Sequence, residues 1–343
     1  MGIFLNNGIE ITNYGKPYFI AEVNSSHNGN VETAKKMIDA AVDAGCDCVK
    51  FQSWSVRSLY SRTYYRENPI AERFVRKLSL TPEQLKDMAE YCSIKGIGFS
   101  STPYSREETD FLVNWCRVPF VKISSMEVNN PEFLKYIGEK QVPVILSTGM
   151  AEMEEVKSAV HVLESTGNHD IILLHCVSIY PAKIETINLN NILGLRECFP
   201  NYPVGFSDHT LGESAAIAAT ALGAAVIEKH ITLDAKKIGM DNQMAMEPEA
   251  LKNMVKACNN THLALGSKER TVLAAEYAQR KNMRRSVVAT HDLAAGAVLC
   301  REDLDVKRPG TGLPPDRLAE LIGRTVVRDI EADTVIHESD LKY

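Results

Sequence analysis

No stretch of this 343-residue chain approaches the roughly 18 uninterrupted apolar residues that a membrane-spanning helix needs. The opening MGIFLNNGIEITNYG has neither the basic n-region nor the apolar h-region of a secretory signal. It begins Met-Gly, yet Asn6 stands where N-myristoylation wants Ser or Thr. Blocks of like charge are missing and the net charge is −6, which argues against a nucleic-acid surface, since that needs a basic stripe. The eight cysteines (46, 48, 92, 116, 176, 198, 258, 300) form no C-x-x-C pair. That favours reduced, buried thiols in a cytoplasmic protein over a disulfide framework or a zinc site. What remains, 45% hydrophobic and 24% charged, is ordinary globular composition with no membrane partner expected.

Against this plain background, short apolar runs recur: YFIAEVN (18–24), CDCVKFQ (46–52), GIGFSSTP (96–103), FVKISSM (120–126), PVILSTG (143–149), IILLHCV (171–177), PVGFSDH (203–209) and AAVIEKH (224–230). Amphipathic stretches such as VETAKKMIDAAVDAG and TPEQLKDMAEYCSIKG separate them and end in Gly, where a helix C-cap belongs. Strands too apolar to face water, alternating with helices, predict a parallel sheet covered by helices. Eight of them close a (β/α)8 TIM barrel. An open doubly wound sheet is disfavoured, because no G-x-G-x-x-G follows the first run.

Beyond a further helix in EPEALKNMVKACNNTHLALG, the charged SKERTVLAAEYAQRKNMRR reads as a linker with helical character. Then the texture changes to short β-type runs, and the chain repeats itself. THDLAAGAVLCREDL and VRDIEADTVIHESDL align without gaps, Asp292 with Asp329 and Asp303 with Asp340. Each half is too short to bury a core, so the two are expected to pack as one pseudo-symmetric unit. The expected organisation is a barrel over 1–266, a linker over 267–284 and a small β-rich domain over 285–343.

In such barrels chemistry sits at the C-terminal strand ends, and here those ends are polar. Side chains two apart on a strand share a face, roughly 6–7 Å from each other. Glu228 and His230 therefore point one way and Lys229 the other, against the outer helices or their solvent edge. Ser207 with His209, Lys50 with Gln52, and Lys122 with Ser124 pair likewise, while Glu22, Ser147, Ser178 and Tyr180 lie at or just beyond other strand ends. Isolated histidines such as His262 and His291 read as structural or solvated, and His27 as a turn residue. His209 and His230 end neighbouring strands, about 4.8 Å apart, close enough for two imidazoles to share one ion. Two histidines without cysteine leave positions for water or substrate oxygen, which suits Mn2+, Mg2+ or Co2+ better than structural zinc. Lys50 and Lys122, with Ser125, Ser147 and Ser207, read as an anion cradle. Two other readings stand beside it: rim salt bridges with Glu22 and Glu228, and a Schiff-base lysine.

AEVNSSHNG, VKFQ, STPYS, VKISS, ILSTGMA, HCVSIYPA, GFSDHT and IEKHITLD, in this order, resemble the sialic acid synthase family. RRSVVATHDLAAGAVLCREDLDVKRPGTG resembles that family's small antifreeze-like (SAF) domain. The resemblance runs from about residue 18 to the C-terminal end of the sequence. It implies a (β/α)8 barrel, a domain-swapped homodimer and a divalent metal, typically Mn2+. It implies a nonulosonic acid synthase that condenses phosphoenolpyruvate (PEP) with an N-acetylated hexose. By position, His209 and His230 match metal ligands, and Lys50, Lys122, Ser125, Ser147 and Ser207 match PEP contacts. Glu22, Gln52, Tyr180, Glu228 and Asp241 match positions around the sugar and the reacting carbons, with Ser178 and Asn242 beside them. Arg308 matches an arginine that touches the acetamido group in the partner subunit's site.

Four positions depart from the family pattern. Ser26 precedes His27 where many members have Asn, and Ser178 stands where members often have Asn. The common G-P-D-H is here Gly239-Met240-Asp241-Asn242, keeping the aspartate but not the histidine. The acceptor is accordingly either N-acetylmannosamine or a 2,4-diacetamido-6-deoxyhexose. The rival functions are another TIM-barrel aldolase or lyase using a Schiff-base lysine, and a non-catalytic sugar-binding homologue.

Overall fold

Each of the eight apolar runs contains a strand in the computed structural model, which describes residues 2–237 and 239–342. A short hairpin, β1 (Ile3–Phe4) and β2 (Glu10–Ile11), comes first. The parallel strands are β3 (Tyr18–Glu22), β4 (Cys48–Gln52), β5 (Gly98–Thr102), β6 (Val121–Ile123), β7 (Val144–Ser147), β8 (Ile171–Cys176), β9 (Val204–Asp208) and β10 (Val226–His230). They form one sheet in the order β5-β4-β3-β10-β9-β8-β7-β6. The Ser100 hydroxyl on β5 donates to the Phe120 carbonyl, just before β6, at 3.0 Å and brings the two ends of that order together. The result is the barrel that the alternation predicts.

The helices between strands form where the sequence supplies their ends. Helix Val31–Ala44 is capped by Asn30, whose side chain accepts from the Thr33 N–H. Helix Pro82–Lys95 starts in a Thr81/Gln84 capping box. Both stop at a glycine in the left-handed region, Gly45 (φ 81°) and Gly96 (φ 72°), a conformation that costs other residues free energy. Outward strand residues such as Phe19, Val49, Phe51, Val144, Leu146 and Phe206 are fully buried against these helices.

Inward residues of the lower strand halves make a second apolar cluster. Tyr18, Ile20, Cys48, Phe120, Ile145, Ile172, Leu174 and Val226 pack with Ile3, Leu5 and Ile11 of the hairpin, which seals this end of the barrel. A second feature outside the periodic pattern is a run of short helices, Val56–Leu59, Arg62–Glu67 and Pro69–Leu78, inserted after β4.

The chain divides into two compact units, Met1–Gly266 and Ser267–Tyr343. The second begins with helix Ala274–Met283. Its repeats pair β11 (Ser286–Ala289) with β12 (Leu304–Lys307) and β13 (Thr325–Val326) with β14 (Leu341–Lys342), both antiparallel. The two repeats are joined reciprocally. Asp329 accepts from the Ala295 N–H at 2.8 Å, and the equivalent Asp292 accepts from the Ala332 N–H at 2.7 Å. Leu293 and Ile330 exchange backbone hydrogen bonds of 2.8 and 2.9 Å. Leu299 and Ile336, Leu304 and Leu341 fill one shared core, as the repeat predicts. Among the described residues no helix is long and apolar enough to cross a membrane.

Candidate active site

At the C-terminal ends of the barrel strands lies a cavity of about 500 Å³. Glu22, Lys50, Gln52, Lys122, Ser125, Ser147, Ser178, Tyr180, Ser207, His209, Glu228, His230 and Asp241 all line it. The period-two alternation places them: Lys50 and Gln52, Ser207 and His209, Glu228 and His230 project from single strands into one space. Register aligns the neighbours, with His230 opposite Glu22 and Glu22 opposite Lys50.

The charges are buried and interlocked. Lys50 is ion-paired with Glu22, reaches Glu228 Oε2 at 3.7 Å and donates to Thr102 Oγ1 at 3.2 Å. Lys122 donates to Ser147 Oγ at 2.7 Å and lies 3.9 Å from Glu228 Oε1. Ser207 donates to Glu228 Oε1 at 2.9 Å. Burial works against the Lys50 charge, but Glu22 and Glu228 outweigh it and raise its pKa. Burial prevails for Lys122: Glu228, and behind it Cys176 and Glu22, favour its charge, but burial together with Lys50 outweighs them, so its pKa is lowered. Burial also opposes the Glu228 charge, yet Lys122 and Lys50 together hold this carboxyl down at about 2. The salt-bridge reading of the lysines and the anion-cradle reading thus describe the same groups.

On the Glu22 side, Gln52 donates to Glu22 Oε1 at 3.0 Å and is fixed by Tyr104 OH (2.5 Å) and Trp54 Nε1 (3.1 Å). Opposite, Ser125 Oγ accepts from the Gly149 N–H at 3.0 Å and donates to Cys176 Sγ at 3.8 Å. Tyr180 lies over His209 with ring centroids 4.3 Å apart, and the two imidazoles are 5.4 Å apart.

Among the described residues no three His, Cys, Asp or Glu side chains gather as a metal cage. The His pair does fit a cation whose other positions come from substrate or water. His209 Nδ1 donates to the Val177 carbonyl at 2.8 Å, which leaves the Nε2 lone pair directed elsewhere. Among the described residues, buried His230 Nδ1 has no hydrogen-bond partner, although Asp241 Oδ2 lies 3.2 Å away.

Of the other positions, Asn242 turns out differently from its sequence expectation, and one of the two settings expected for Lys229 is excluded. Asn242 is fully buried behind the cavity and does not line it; Ser26 Oγ donates to its Oδ1 at 2.9 Å. Arg308 belongs to the second unit and is exposed. Lys229 has no solvent edge: it is 1% exposed and bonded to Asp208 Oδ2 (2.8 Å) and the Thr210 carbonyl (2.6 Å), a buried pair outside the barrel. His27 is a buried turn residue, its pKa lowered by burial to about 4 and its Nδ1 accepting from the Gly29 N–H. Asn24, Trp54, Tyr60, Thr102, Tyr104 and Cys176 line the cavity without having been singled out, and Met240, named only within its motif, lines it too. For Thr102 and Cys176 the signal was present, since each lies two residues after another inward strand position. Tyr60 arrives from the inserted helices, which strand periodicity does not reach.

The fold recurs in known proteins. The chain is 34% identical over 332 residues to the N,N'-diacetyllegionaminic acid synthase of Legionella pneumophila, covering 93% of each chain. It is 33% identical over 332 residues to the N-acetylneuraminate-9-phosphate synthase of Mus musculus, covering 94% of this chain and 92% of that one. The crystal structure of the N-acetylneuraminic acid synthetase of Leptospira borgpetersenii, a citrate complex, matches with a TM-score of 0.74 and 30% identity, over 81% of this chain and 95% of that one. The NeuB family model matches residues 37–270 and the SAF domain model residues 284–342. This chain belongs to the NeuB family and ends in a SAF domain.

Proposed function

We propose that the protein is a nonulosonic acid synthase that joins PEP to the open-chain aldehyde of an N-acetylated hexose and releases phosphate. The carrying observation is that two buried lysines, three serine hydroxyls, two glutamates and a histidine pair share one cavity at the barrel mouth. Its relatives, named as synthases of N,N'-diacetyllegionaminic acid and N-acetylneuraminate 9-phosphate, support that class of reaction.

Lys50 and Lys122 neutralise the carboxylate and phosphate of PEP, with Ser125, Ser147 and Ser207 donating hydrogen bonds. Carbon three of PEP then bonds to the aldehyde carbon, and the aldehyde oxygen takes up a proton. Water adds at carbon two and gives one proton to a carboxylate, replacing the one taken up by the aldehyde oxygen. The bond from carbon two to the phosphate oxygen then breaks, carbon two becomes the ketone, and the remaining hydroxyl proton leaves with the phosphate. The carboxylate is Glu22, oriented by Gln52 and ion-paired with Lys50, or Glu228, held anionic by Lys122 and Lys50. Tyr180 and Asp241 border the acceptor. A divalent cation, Mn2+ being favoured with Mg2+ or Co2+ as alternatives, would be held by His209 and His230 and would supply a Lewis acid for the carbonyl. Arg308 contacts the acetamido group from a partner subunit in a domain-swapped homodimer.

The test is phosphate release from PEP with a panel of N-acetylated hexoses, including N-acetylmannosamine and a 2,4-diacetamido-6-deoxyhexose. Turnover with one acceptor, lost in chelator and restored by Mn2+, is expected. No release with any acceptor would defeat the proposal. A lysine imine is the second reading, because burial lowers the Lys122 pKa and so favours a nucleophilic amine. Borohydride trapping separates the two: covalent retention of substrate on Lys122 supports the imine, and its absence supports direct attack by PEP.

A further inference from the structure

The loop after β10 is fastened to the loop after β3 by two side-chain bonds that run in parallel. Asn24 Nδ2 donates to Asp241 Oδ2, and two residues further along the first loop Ser26 Oγ donates to Asn242 Oδ1 at 2.9 Å. Ser26 is 5% exposed and Asn242 not at all, so the second bond is shielded from water.

The surroundings are built for this contact. A Cβ on Gly239 would come within 2.4 Å of Asn242 Oδ1, so the glycine makes room for the amide. Among the described residues, Asn242 Nδ2 is buried without a partner, and losing Ser26 would leave both ends of the amide unsatisfied. Beyond Asn242 the backbone turns on Asp241, whose carbonyl accepts from the Met244 and Ala245 N–H groups, both at 3.0 Å. The Asp241 side chain points the other way, into the cavity and 3.2 Å from His230 Nδ1.

We infer that Ser26 and Asn242 are positioning residues whose hydrogen bond latches the two loops and sets the Asp241 carboxylate at the acceptor end of the cavity. Asn242 touches no substrate; its influence passes through Asp241. The word acceptor rests on the proposed synthase reaction, whereas the latch itself does not.

The test compares S26A, N242A and the double variant with the intact wild-type chain by hydrogen exchange over residues 239–246 and by steady-state kinetics. Faster exchange is expected in each single variant, with the double variant no faster than N242A, because the pair acts as one unit. The acceptor KM should rise about tenfold, the loss of roughly one buried hydrogen bond, while the PEP KM stays put. Unchanged exchange in both single variants would overturn the latch. So would an N242A defect in acceptor KM with S26A silent, which would make Asn242 a direct contact. A lowered Tm with no selective change in acceptor KM would reduce the pair to scaffolding and overturn it too. Should N242A fail to fold, S26A, the smaller change, decides. If the wild type turns over no acceptor, the synthase reading falls and the exchange measurement still decides the latch.

Discussion

The two ends of the barrel are made from the same strands and share almost no chemistry. At one end Ile20, Cys48, Phe120, Ile172 and Val226 face inward and close on the hairpin residues Ile3, Leu5 and Ile11. Two to four residues later on those strands, Glu22, Lys50, Lys122, Cys176 and Glu228 face inward around a cavity. Alternation fixes only which residues face in; position along the strand decides whether they pack or react. The apolar end can bury its surface completely. Among the described residues, the polar end keeps buried cavity-lining atoms without hydrogen-bond partners, among them Asn24 Oδ1 and Ser124 Oγ, while Glu22 Oε2 is held by its ion pair with Lys50. Unsatisfied buried groups are costly, and they concentrate where a ligand can satisfy them.

This contrast can be broken at either end. The largest effect expected is K122A, which should lower kcat/KM by about a thousandfold while the thermal midpoint moves little, the size of loss seen when a charge-stabilising donor is removed. An active K122A would show that the mouth is decorative. Next, I172A at the packed end should cost about 2–5 kcal/mol of unfolding free energy, measured in denaturant, with kcat unchanged. A loss of kcat without loss of stability would erase the division of labour.

A subtler effect concerns pH. Burial lowers the Lys122 pKa, so its proton leaves at a lower pH than from an ordinary lysine. Activity that needs this ammonium should therefore fall on the alkaline side before ordinary lysines titrate, and K122R, if active, should move that limb upward. Glu228, held down at about 2, stays ionised across the acid range, so E228Q should leave the acid limb of the profile where it was. The stability that its lowered pKa contributes is present above the ordinary glutamate range and is lost as pH falls toward about 2. The smallest effect is T81A, which removes a helix cap far from both ends and should cost about 1 kcal/mol with kinetics untouched.

Much of this contrast was legible in the residue order. Runs such as CDCVKFQ and AAVIEKH are apolar first and polar last, and alternation then assigns Lys50, Gln52, Glu228 and His230 to one face. The hairpin was not legible, because two-residue strands carry no period. Tyr60 was missed because loop conformation, not strand alternation, turns it toward the cavity. For Asn242, position in a recognisable motif suggested substrate contact; only its hydrogen bond to Ser26, from a loop more than two hundred residues earlier, shows where the amide goes.

The reciprocal aspartates of the second unit carry one more consequence. Because Asp292 serves the amide of one repeat and Asp329 that of the other, neither repeat is a finished object alone. A nick in the chain between them should be tolerated, since the severed pieces hold the complementary contacts needed to find each other again. Removing one piece should leave the other without a partner for its core, so the unit can be split and rejoined but not halved.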